Sequence, residues 1–334
     1  QAAFCIAKES APDTGPGRKE KEVEPPTMRL YSESQVRSAV TPDEVIQAIR
    51  SAFARGFATL RMPVRTTLEL DGALLLLMPC YDSGLNAAGV KLVSVSAKAG
   101  VHATYELLDP ATGISIARME ADYLTDLRTA ASSAVATDLL ARKAAQTLGI
   151  FGSGRQAVAH LTVLPCVRKF KRFLVCGSGR SDLNTFCAKM KKEHGLDIEM
   201  TDAQIVAKES DVICTCTTAR EPLFDGNWLR PGTHLNLVGA FRPETREVDD
   251  TTVKRAHVVV DTYDGAMEEA GDLLMPMRNG SIERSHIVAD LHEIASEKRP
   301  GRTNSDQITL FKSVGCAMED LVTAQLIYRQ AEYD

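Results

Sequence analysis

The chain has 334 residues, of which 44% are hydrophobic and 25% are charged, so it is long enough to form two domains with buried cores. Its formal net charge of −5 at pH 7 argues against general attraction to nucleic acid or to an anionic membrane. No apolar run approaches the roughly 20 residues that span a bilayer. The eight cysteines are scattered, without metal-binding spacing, so we predict no metal site, reduced thiols and a cytoplasmic location.

The first 27 residues are rich in Pro, Lys and Glu and show no sustained hydrophobic period. This composition predicts a disordered leader over residues 1–27. Met28 begins the first periodic segment and is a candidate for the functional start of the chain. The acidic residues of the leader argue against a transit peptide.

Residues 28–140 have the pattern of an α+β domain. Thr41 and Pro42 are typical of a helix N-terminus, and apolar residues then recur at helical spacing. Five strand-like runs follow, separated by Gly, Asp or Pro: VRTTLEL, ALLLLMPCY, AAGVKLVSVSA, ATYELLDP and GISIARMEA. They indicate a mainly antiparallel sheet, and DYLTDLRTAASSAVATDLLA after them predicts a helix whose small residues permit close packing.

From residue 141 the pattern changes to alternating strands and helices, as a doubly wound parallel sheet requires. TLGIFG and RFLVCG predict strands, each followed by a helical segment, and the alternation continues to AHVVVDT. We therefore predict an NAD(P)-binding Rossmann domain over residues 141–308. The last stretch contains a long amphipathic helix with no strand after it. Residues 309–334 are thus expected to join residues 28–140 in a domain for substrate binding and dimerisation.

A glycine-rich turn stands between the first strand and helix of the predicted Rossmann domain. Gly152, Ser153, Gly154, Arg155 and Gln156, followed by alanine, match the pattern G-x-G-x-x-A. At such a turn, bare backbone approaches a pyrophosphate at the helix N-terminus. We therefore expect these residues to bind a dinucleotide, the alternative being a glycine turn that only fits the packing.

The segment after the second Rossmann strand distinguishes the two nicotinamide cofactors. An NAD site usually offers an acidic residue here to the ribose 2′-hydroxyl, whereas a basic or small polar loop accepts a 2′-phosphate. In FLVCGSGRSD, Ser178, Arg180 and Ser181 come before any acid. NADP(H) is therefore preferred, with NAD(H) as the alternative. Asp182 is explained as a helix N-cap, but a shifted register would bring it to the ribose.

Three basic residues of the first domain are candidates for a substrate site. Arg65 and Arg128 carry guanidinium groups, which bind carboxylates bidentately. Lys91 can add a point charge, or move a proton if its pKa is lowered. Each residue taken singly has a surface or structural charge as its simpler explanation. Lys91 is harder to explain in that way, because it lies in a run with a half-buried pattern.

Seven segments carry a more specific signal: MPVRTT, LLLMPCY, GVKLVSV, LRTAASSAVAT, GSGRQAVAH, DVICTCTTAREPLFDGNWLRPGTHLNLVGAFRPETREVDD and FKSVGCAMEDLVTAQLIY. In this order they resemble the ornithine cyclodeaminase/mu-crystallin family, from about residue 28 to 330. The resemblance implies a homodimer, with a Rossmann domain inserted in sequence between the first domain and the final helix. Members of this family include cyclodeaminases, alanine dehydrogenases and reductases of cyclic or linear ketimines.

The resemblance also implies roles for individual residues. Arg65 and Arg128 would hold the substrate carboxylate, and Lys91 would lie beside the reacting carbon and nitrogen. Arg180, or Ser178 in an alternative alignment, would meet the 2′-phosphate. Further cofactor contacts are implied for Thr129, Thr217, Val238, Gly239 and Gly315.

The chain departs from the cyclodeaminase pattern at two positions. Ornithine cyclodeaminases carry a glutamate and an aspartate where this chain has Leu76 and Phe241. Neither side chain can hold an ammonium group, so a diamine would leave its charge unpaired in an apolar site. Cyclodeamination is therefore disfavoured. Phe241 is expected to pack against an apolar ring or chain of the substrate, the alternative being a core aromatic.

The resemblance, together with the three basic residues that this chain retains, predicts an NADPH-dependent reduction of a cyclic α-imino acid. Examples are 1-pyrroline-2-carboxylate and 1-piperideine-2-carboxylate, which would give proline and pipecolate. Hydride is transferred to the imine carbon while Arg65 and Arg128 hold the carboxylate, and Lys91 carries the proton to the imine nitrogen. An alanine dehydrogenase and a linear-imine reductase stay open as alternatives on the same scaffold. So does a protein that binds NADPH and a small ligand without turnover, as mu-crystallin relatives suggest.

Overall fold

The computed structural model describes residues 27–331, so the leader predicted over residues 1–27 lies outside it except for Thr27. Two sheets organise these residues, one of mixed strand direction and one entirely parallel. Each sheet is the centre of one domain, which confirms the predicted α/β class with a Rossmann sheet and an α+β domain. Within the described residues, no helix has the length and apolar character needed to cross a membrane.

The first domain begins with two helices, α1 (Glu33–Ala39) and α2 (Pro42–Arg55). The predicted start of α2 is confirmed. The side chain of Thr41 caps the backbone N–H of Glu44, and Glu44 reciprocates through its carboxylate. The apolar residues at helical spacing form the buried face of α2, which packs on later helices of the same domain.

The mixed sheet of this domain contains seven strands: β1 (Arg29–Tyr31), β2 (Leu60–Arg61), β3 (Thr66–Leu70), β4 (Ala73–Asp82), β5 (Ala87–Ser96), β6 (Gly100–Leu108) and β7 (Ser115–Glu120). Its order is β1-β7-β6-β5-β4-β2, and β3 also pairs with β4. The pairing of β1 with β7 is parallel, and the other pairings are antiparallel, as predicted. Two helices lie against the sheet: α3 (Asp122–Leu140) and α11 (Ala317–Gln330).

The second domain is built on eight parallel strands: β8 (Thr147–Phe151), β9 (Arg172–Cys176), β10 (Ile198–Met200), β11 (Val212–Thr215), β12 (His234–Leu237), β13 (Ala256–Val260), β14 (Ile287–Asp290) and β15 (Ile308–Lys312). Their order is β10-β9-β8-β11-β12-β15-β13-β14. The connecting helices are α4 (Arg155–Val163), α5 (Arg180–His194), α6 (Ala203–Glu209), α7 (Asp250–Arg255), α8 (Tyr263–Glu269), α9 (Gly271–Arg278) and α10 (Leu291–Ala295).

Strand β15 corrects the domain boundary predicted at residue 309. The strand lies inside the parallel sheet, between β12 and β13, although it follows both in sequence. All five of its residues are buried, so it lacks the alternation that identifies a half-exposed strand. The chain leaves the parallel sheet after Lys312, and α11 then packs on α2, α3 and the mixed sheet.

The strand order reverses at β8, since β9 and β10 lie on one side of it and β11 and β12 on the other. The segments that follow β8 and β11 therefore diverge and open a crevice at the carboxyl edge of the sheet, where ligands of such sheets bind. Loop 313–316, which leads from β15 into α11, starts from the same edge and reaches the first domain.

Candidate active site

The glycine turn after β8 has the geometry of a dinucleotide site. Gly152 has φ +111°, and a Cβ there would lie 2.6 Å from the carbonyl oxygen of Cys216, so only glycine fits. At Gly154 a Cβ would meet no atom within 4 Å, and no side chain caps α4. This open, uncapped helix start, with Ser153 between the glycines, fits an anionic pyrophosphate.

The side chains of Arg155 and Gln156 bind carboxylates of α3 through ion pairs and a hydrogen bond. Arg155 Nε lies 2.8 Å from Asp126 Oδ2, and Arg155 Nη1 lies 3.0 Å from Asp122 Oδ2. The amide of Gln156 donates to the other oxygen of Asp126 at 3.1 Å. These contacts join the two domains, so the main-chain N–H groups of both residues are what the turn offers to a nucleotide.

The loop after β9 is exposed from Gly177 to Gly179, and Ser181 and Asp182 are exposed as well. The N-cap of α5 is Gly179, and Asp182 stands in the first turn, which corrects its expected place as the N-cap. The structure describes only the backbone of Arg180. At the end of β9 itself there is no carboxylate, as the sequence indicates.

A buried carboxylate joins the loops after β11 and β12. Glu247 accepts hydrogen bonds from the backbone N–H of Thr217 at 2.8 Å, from its hydroxyl at 2.7 Å and from the N–H of Gly239 at 2.8 Å. Burial raises the pKa of Glu247. The loop of Thr217 and the loop of Val238 and Gly239 are thus held together at the edge of the crevice. Sequence reasoning missed Glu247, because nothing in its local pattern shows that it is buried.

Two of the predicted substrate residues form one buried network with helix α11. Lys91 Nζ donates to Asp320 Oδ1 at 2.7 Å, and Arg128 Nε donates to the same oxygen at 2.8 Å. Arg128 Nη1 also donates to Glu319 at 2.6 Å. Lys91 is 1% exposed, Arg128 is 5% exposed, and both carboxylates are fully buried. Thr129, next to Arg128, donates to the carbonyl of Thr125 within α3.

The third basic residue, Arg65, crosses between the domains. Its Nε lies 2.8 Å from Glu269 Oε1 at the end of α8. Its Nη2 donates to the carbonyls of Val314 and Gly315, the latter at 2.9 Å. Nothing in the sequence relates Glu269 to Arg65, since no spacing rule links the two positions.

Gly315 lies between the two guanidinium groups. Its φ is +81°, and a Cβ there would lie 2.5 Å from Arg128 Nη1, while its carbonyl accepts from Arg65. Asp261, fully buried after β13, holds this loop by accepting from the N–H groups of Val314 and Gly315, each at 2.7 Å. The two arginines therefore converge on one backbone position at the carboxyl edge of the parallel sheet.

The surroundings of Lys91 change its acidity. Burial and the nearby Arg128 lower the pKa of Lys91 to about 8, against the opposing effect of Asp320. A lysine in this state exchanges protons near neutral pH, as a general acid or base must.

A cavity of about 340 Å³ adjoins this network at the junction of the two domains. Arg65, Glu269 and Gly315 line it, together with apolar residues such as Phe57 and Met62. Lys91 and Arg128 are buried and do not line the cavity. Among residues 27–331, no group of three or more His, Cys, Asp or Glu side chains is placed to hold a metal ion.

The two positions that depart from the cyclodeaminase pattern differ in their surroundings. Phe241 is partly buried, and its ring centroid lies 5.9 Å from the guanidinium carbon of Arg65. Leu76 is 5% exposed and belongs to the core of the first domain. Phe241 is thus an apolar surface beside the predicted carboxylate site, whereas Leu76 is a packing residue.

Fold and site together define a class: a two-domain α/β protein in which a Rossmann crevice faces a cluster of buried cations from the first domain. Residues 26–334 match the Ornithine cyclodeaminase/mu-crystallin family, and the chain belongs to this family. The resemblance drawn from the sequence is therefore confirmed.

Three relatives illustrate the similarity. The chain is 34% identical over 316 residues to the Delta(1)-pyrroline-2-carboxylate reductase of Bacillus cereus, covering 91% of this chain and 97% of that protein. It is 33% identical over 293 residues to the ketimine reductase mu-crystallin of Mus musculus, covering 85% and 90%. The structure of Thermococcus litoralis Delta(1)-pyrroline-2-carboxylate reductase in complex with NADH and L-proline superposes with a TM-score of 0.88 at 38% identity, covering 92% and 98%.

Proposed function

We propose that this protein reduces a cyclic α-imino acid, of the 1-pyrroline-2-carboxylate or 1-piperideine-2-carboxylate type, to the corresponding amino acid with NADPH. As a member of the family, it is an NAD(P)-dependent imine reductase. The observation that carries the proposal is the convergence of Arg65 and Arg128 on Gly315, with Lys91 bound to the same carboxylate as Arg128.

The carboxylate of the substrate would bind between the two guanidinium groups. Among residues 27–331, neither Nη1 of Arg65 nor Nη2 of Arg128 has a hydrogen-bond partner. Both guanidinium groups approach Gly315, so a carboxylate bound beside this residue would be close to both of them. A carboxylate held by two guanidinium groups is fixed in orientation as well as in place.

Lys91 would supply the proton to the imine nitrogen. Its ammonium group is protonated at neutral pH, because the pKa of Lys91 is about 8, and this value makes the proton easier to release than that of an ordinary lysine. Asp320 holds Nζ in place from the side of α11. Proton delivery to the nitrogen makes the imine carbon more electrophilic, which is the purpose of general acid catalysis here.

The crevice would hold the nicotinamide cofactor, which when bound supplies the hydride. Ser153 and Gly154 would bind the pyrophosphate through backbone N–H groups. Gly152, whose N–H donates to the carbonyl of Cys176, would contribute by letting the pyrophosphate approach its bare backbone. The residues proposed to line the nicotinamide side are Thr129, Thr217, Val238, Gly239 and Gly315. The preference for NADP over NAD is supported by Ser178 in the loop after β9 and by Arg180 and Ser181 at the start of α5, since the end of β9 carries no carboxylate.

A substrate panel tests the proposal. Purified protein is assayed for oxidation of NADPH and of NADH with 1-pyrroline-2-carboxylate, with 1-piperideine-2-carboxylate and with pyruvate plus ammonia. We expect turnover with a cyclic imino acid and a higher kcat/KM with NADPH. Turnover with pyruvate and ammonia alone would instead indicate an alanine dehydrogenase, and no turnover with any substrate would indicate a binding protein. The apolar ring of Phe241 beside Arg65 favours the cyclic substrate.

A homodimer and a cytoplasmic location complete the proposal. Large apolar side chains are exposed on the first domain, including Leu68 at 51% and Leu70 at 49% on β3 and Val101 at 47% on β6. Exposed apolar surface of this kind supports self-association, which sedimentation velocity measures directly. The seven cysteines of the described residues are all free, which supports a reducing compartment.

A further inference from the structure

The ion pair of Arg65 and Glu269 neutralises, through Nε, the same guanidinium group whose Nη1 the substrate carboxylate would meet. Arg65 Nε lies 2.8 Å from Glu269 Oε1, and the two side chains are 8% and 14% exposed. Arg65 precedes β3 in the first domain, and Glu269 ends α8 in the second. The pair therefore closes the junction between the domains directly beside the cavity that both residues line.

Four carboxylates surround Arg65, Lys91 and Arg128, and they differ in the number of hydrogen bonds and ion pairs that hold them. Glu319 accepts from Arg128 and Ser132, and Asp320 accepts from Lys91 and Arg128. Asp261 accepts from three groups of the loop that carries Gly315: two backbone N–H groups and the hydroxyl of Ser313. These three carboxylates are fully buried. Glu269, by contrast, has Arg65 as its single ion-pair partner among the described residues, and it borders open space.

We propose, on the basis of the function proposed above, that Glu269 is a counter-ion of Arg65 that the substrate carboxylate replaces. It neutralises Arg65 in the free enzyme, gives up this position when the substrate carboxylate binds, and takes up a proton as it is released into the adjoining cavity.

The charges around Glu269 favour this proton uptake. Arg65 faces it from the first domain, Asp261 from the end of β13, and Glu268 precedes it on α8. Burial, Asp261 and Glu268 raise the pKa of Glu269 to about 7 even though Arg65 lowers it. The other titratable residues that line the cavity are Tyr263, Asp264, Asp290 and Cys316. When a second carboxylate neutralises Arg65, the lowering effect weakens, so the released carboxyl group holds a proton at neutral pH.

Replacement of Glu269 by a ligand carboxylate on Arg65 predicts how the affinity for that ligand depends on pH. Because the ligand binds the form in which Glu269 is protonated, the apparent Kd for a carboxylate ligand is constant below pH 7. It rises up to about tenfold per pH unit above pH 7, as the fraction of protonated Glu269 falls. At pH 7.5, binding is expected to take up about three-quarters of a proton.

Calorimetry with a substrate analogue tests the exchange. The probe is pyrrole-2-carboxylate, which has the ring size of the imino acid but accepts no hydride, added to the complex of the enzyme with NADP⁺. Titrations at pH 7.5 in two buffers of different ionisation enthalpy give the number of protons taken up. We expect Glu269→Gln to bind the analogue about fourfold more tightly at this pH and to abolish the uptake. Glu268→Gln, on the neighbouring exposed position, removes a charge that raises the pKa of Glu269, so it is expected to retain the proton uptake and to weaken binding slightly.

Three results would overturn the proposal. The first is binding of the analogue by the wild-type enzyme without proton uptake. The second is proton uptake by Glu269→Gln, which would assign the proton to Lys91. The third is weaker binding by Glu269→Gln, as expected of a purely structural ion pair. The wild-type measurement stands even if the variant does not fold. The test needs no turnover: an enzyme that reduces no imino acid yet binds the analogue with proton uptake would contradict the proposed reaction and support the exchange.

Discussion

Lys91 Nζ donates a 2.7 Å hydrogen bond to Asp320 Oδ1, although the two residues are 229 positions apart in the chain. Lys91 belongs to strand β5 of the first domain, and Asp320 lies in the first turn of α11, after the chain has returned from the Rossmann sheet. Arg128 donates to the same oxygen. Asp320 thus positions the proposed proton donor, Lys91, relative to Arg128, one of the two arginines proposed to bind the carboxylate. Completion of this arrangement depends on the return of α11.

Replacement of Lys91 by alanine is expected to lower kcat for imine reduction by two orders of magnitude or more, because the site loses its proposed proton donor. Steady-state assays with NADPH and the preferred imino acid measure the change. Lys98→Ala is the control, since Lys98 is exposed in the turn after β5. Near-normal turnover of Lys91→Ala would remove this residue from the mechanism.

The pH profile should report the ionisation of Lys91. Because the pKa of Lys91 is lowered to about 8, its ammonium form is lost as the pH rises through 8. We expect kcat for reduction to fall above pH 8 and kcat for the reverse oxidation to rise over the same range. Asp320→Asn removes a group that raises this pKa, so the falling limb should move to lower pH. An unchanged limb in this variant would mean that another group titrates.

Arg65 and Arg128 should respond differently to substitution. Arg128→Ala leaves Glu319 and Asp320 buried with one cation fewer, which is expected to cost about 3–5 kcal/mol of stability. Arg65→Ala leaves Glu269 without its partner, and this carboxylate is 14% exposed and borders the cavity, so we expect a smaller loss of stability and a tenfold or greater rise in KM. Urea unfolding and steady-state kinetics on both variants separate these effects. Equal losses of stability would show that Arg65 is as structural as Arg128.

Gly315→Ala places a methyl group against the guanidinium group of Arg128. The added Cβ would lie 2.5 Å from Nη1, at a backbone φ of +81°. The φ alone is expected to cost about 1 kcal/mol of stability, whereas displacement of Arg128 should also lower kcat/KM at least tenfold. Gly113→Ala is the matched control, because Gly113 has φ +72° and open space around it. The conclusion fails if both variants keep wild-type kinetics.

The cofactor preference should follow the loop after β9. A carboxylate at position 178 would offer an acceptor to the ribose 2′-hydroxyl and repel a 2′-phosphate. Ser178→Glu is therefore expected to lower kcat/KM for NADPH and to raise it for NADH, changing their ratio at least tenfold. Ser178→Gln, which has the same length without the charge, is the control. If wild-type enzyme already prefers NADH, the proposed preference is wrong.

The local sequence determined the larger part of the architecture. The alternation of apolar runs identified the two kinds of sheet, and Thr41 and Pro42 marked the start of α2, because helix periodicity and caps depend on neighbours within a few residues. The glycine turn at 152–154 was recognised for the same reason. Composition and motif order sufficed for the family, and residue chemistry singled out Arg65, Lys91 and Arg128.

Tertiary structure alone decided how these residues are paired and where β15 lies. Strand β15 is buried on both faces, so its sequence carries no alternation to locate it between β12 and β13. The acidic residues at the start of α11 have an ordinary local explanation in the helix dipole. Only the folded chain brings Asp320 to Lys91 and Glu269 to Arg65, since ion pairs depend on distances in space that sequence spacing does not encode.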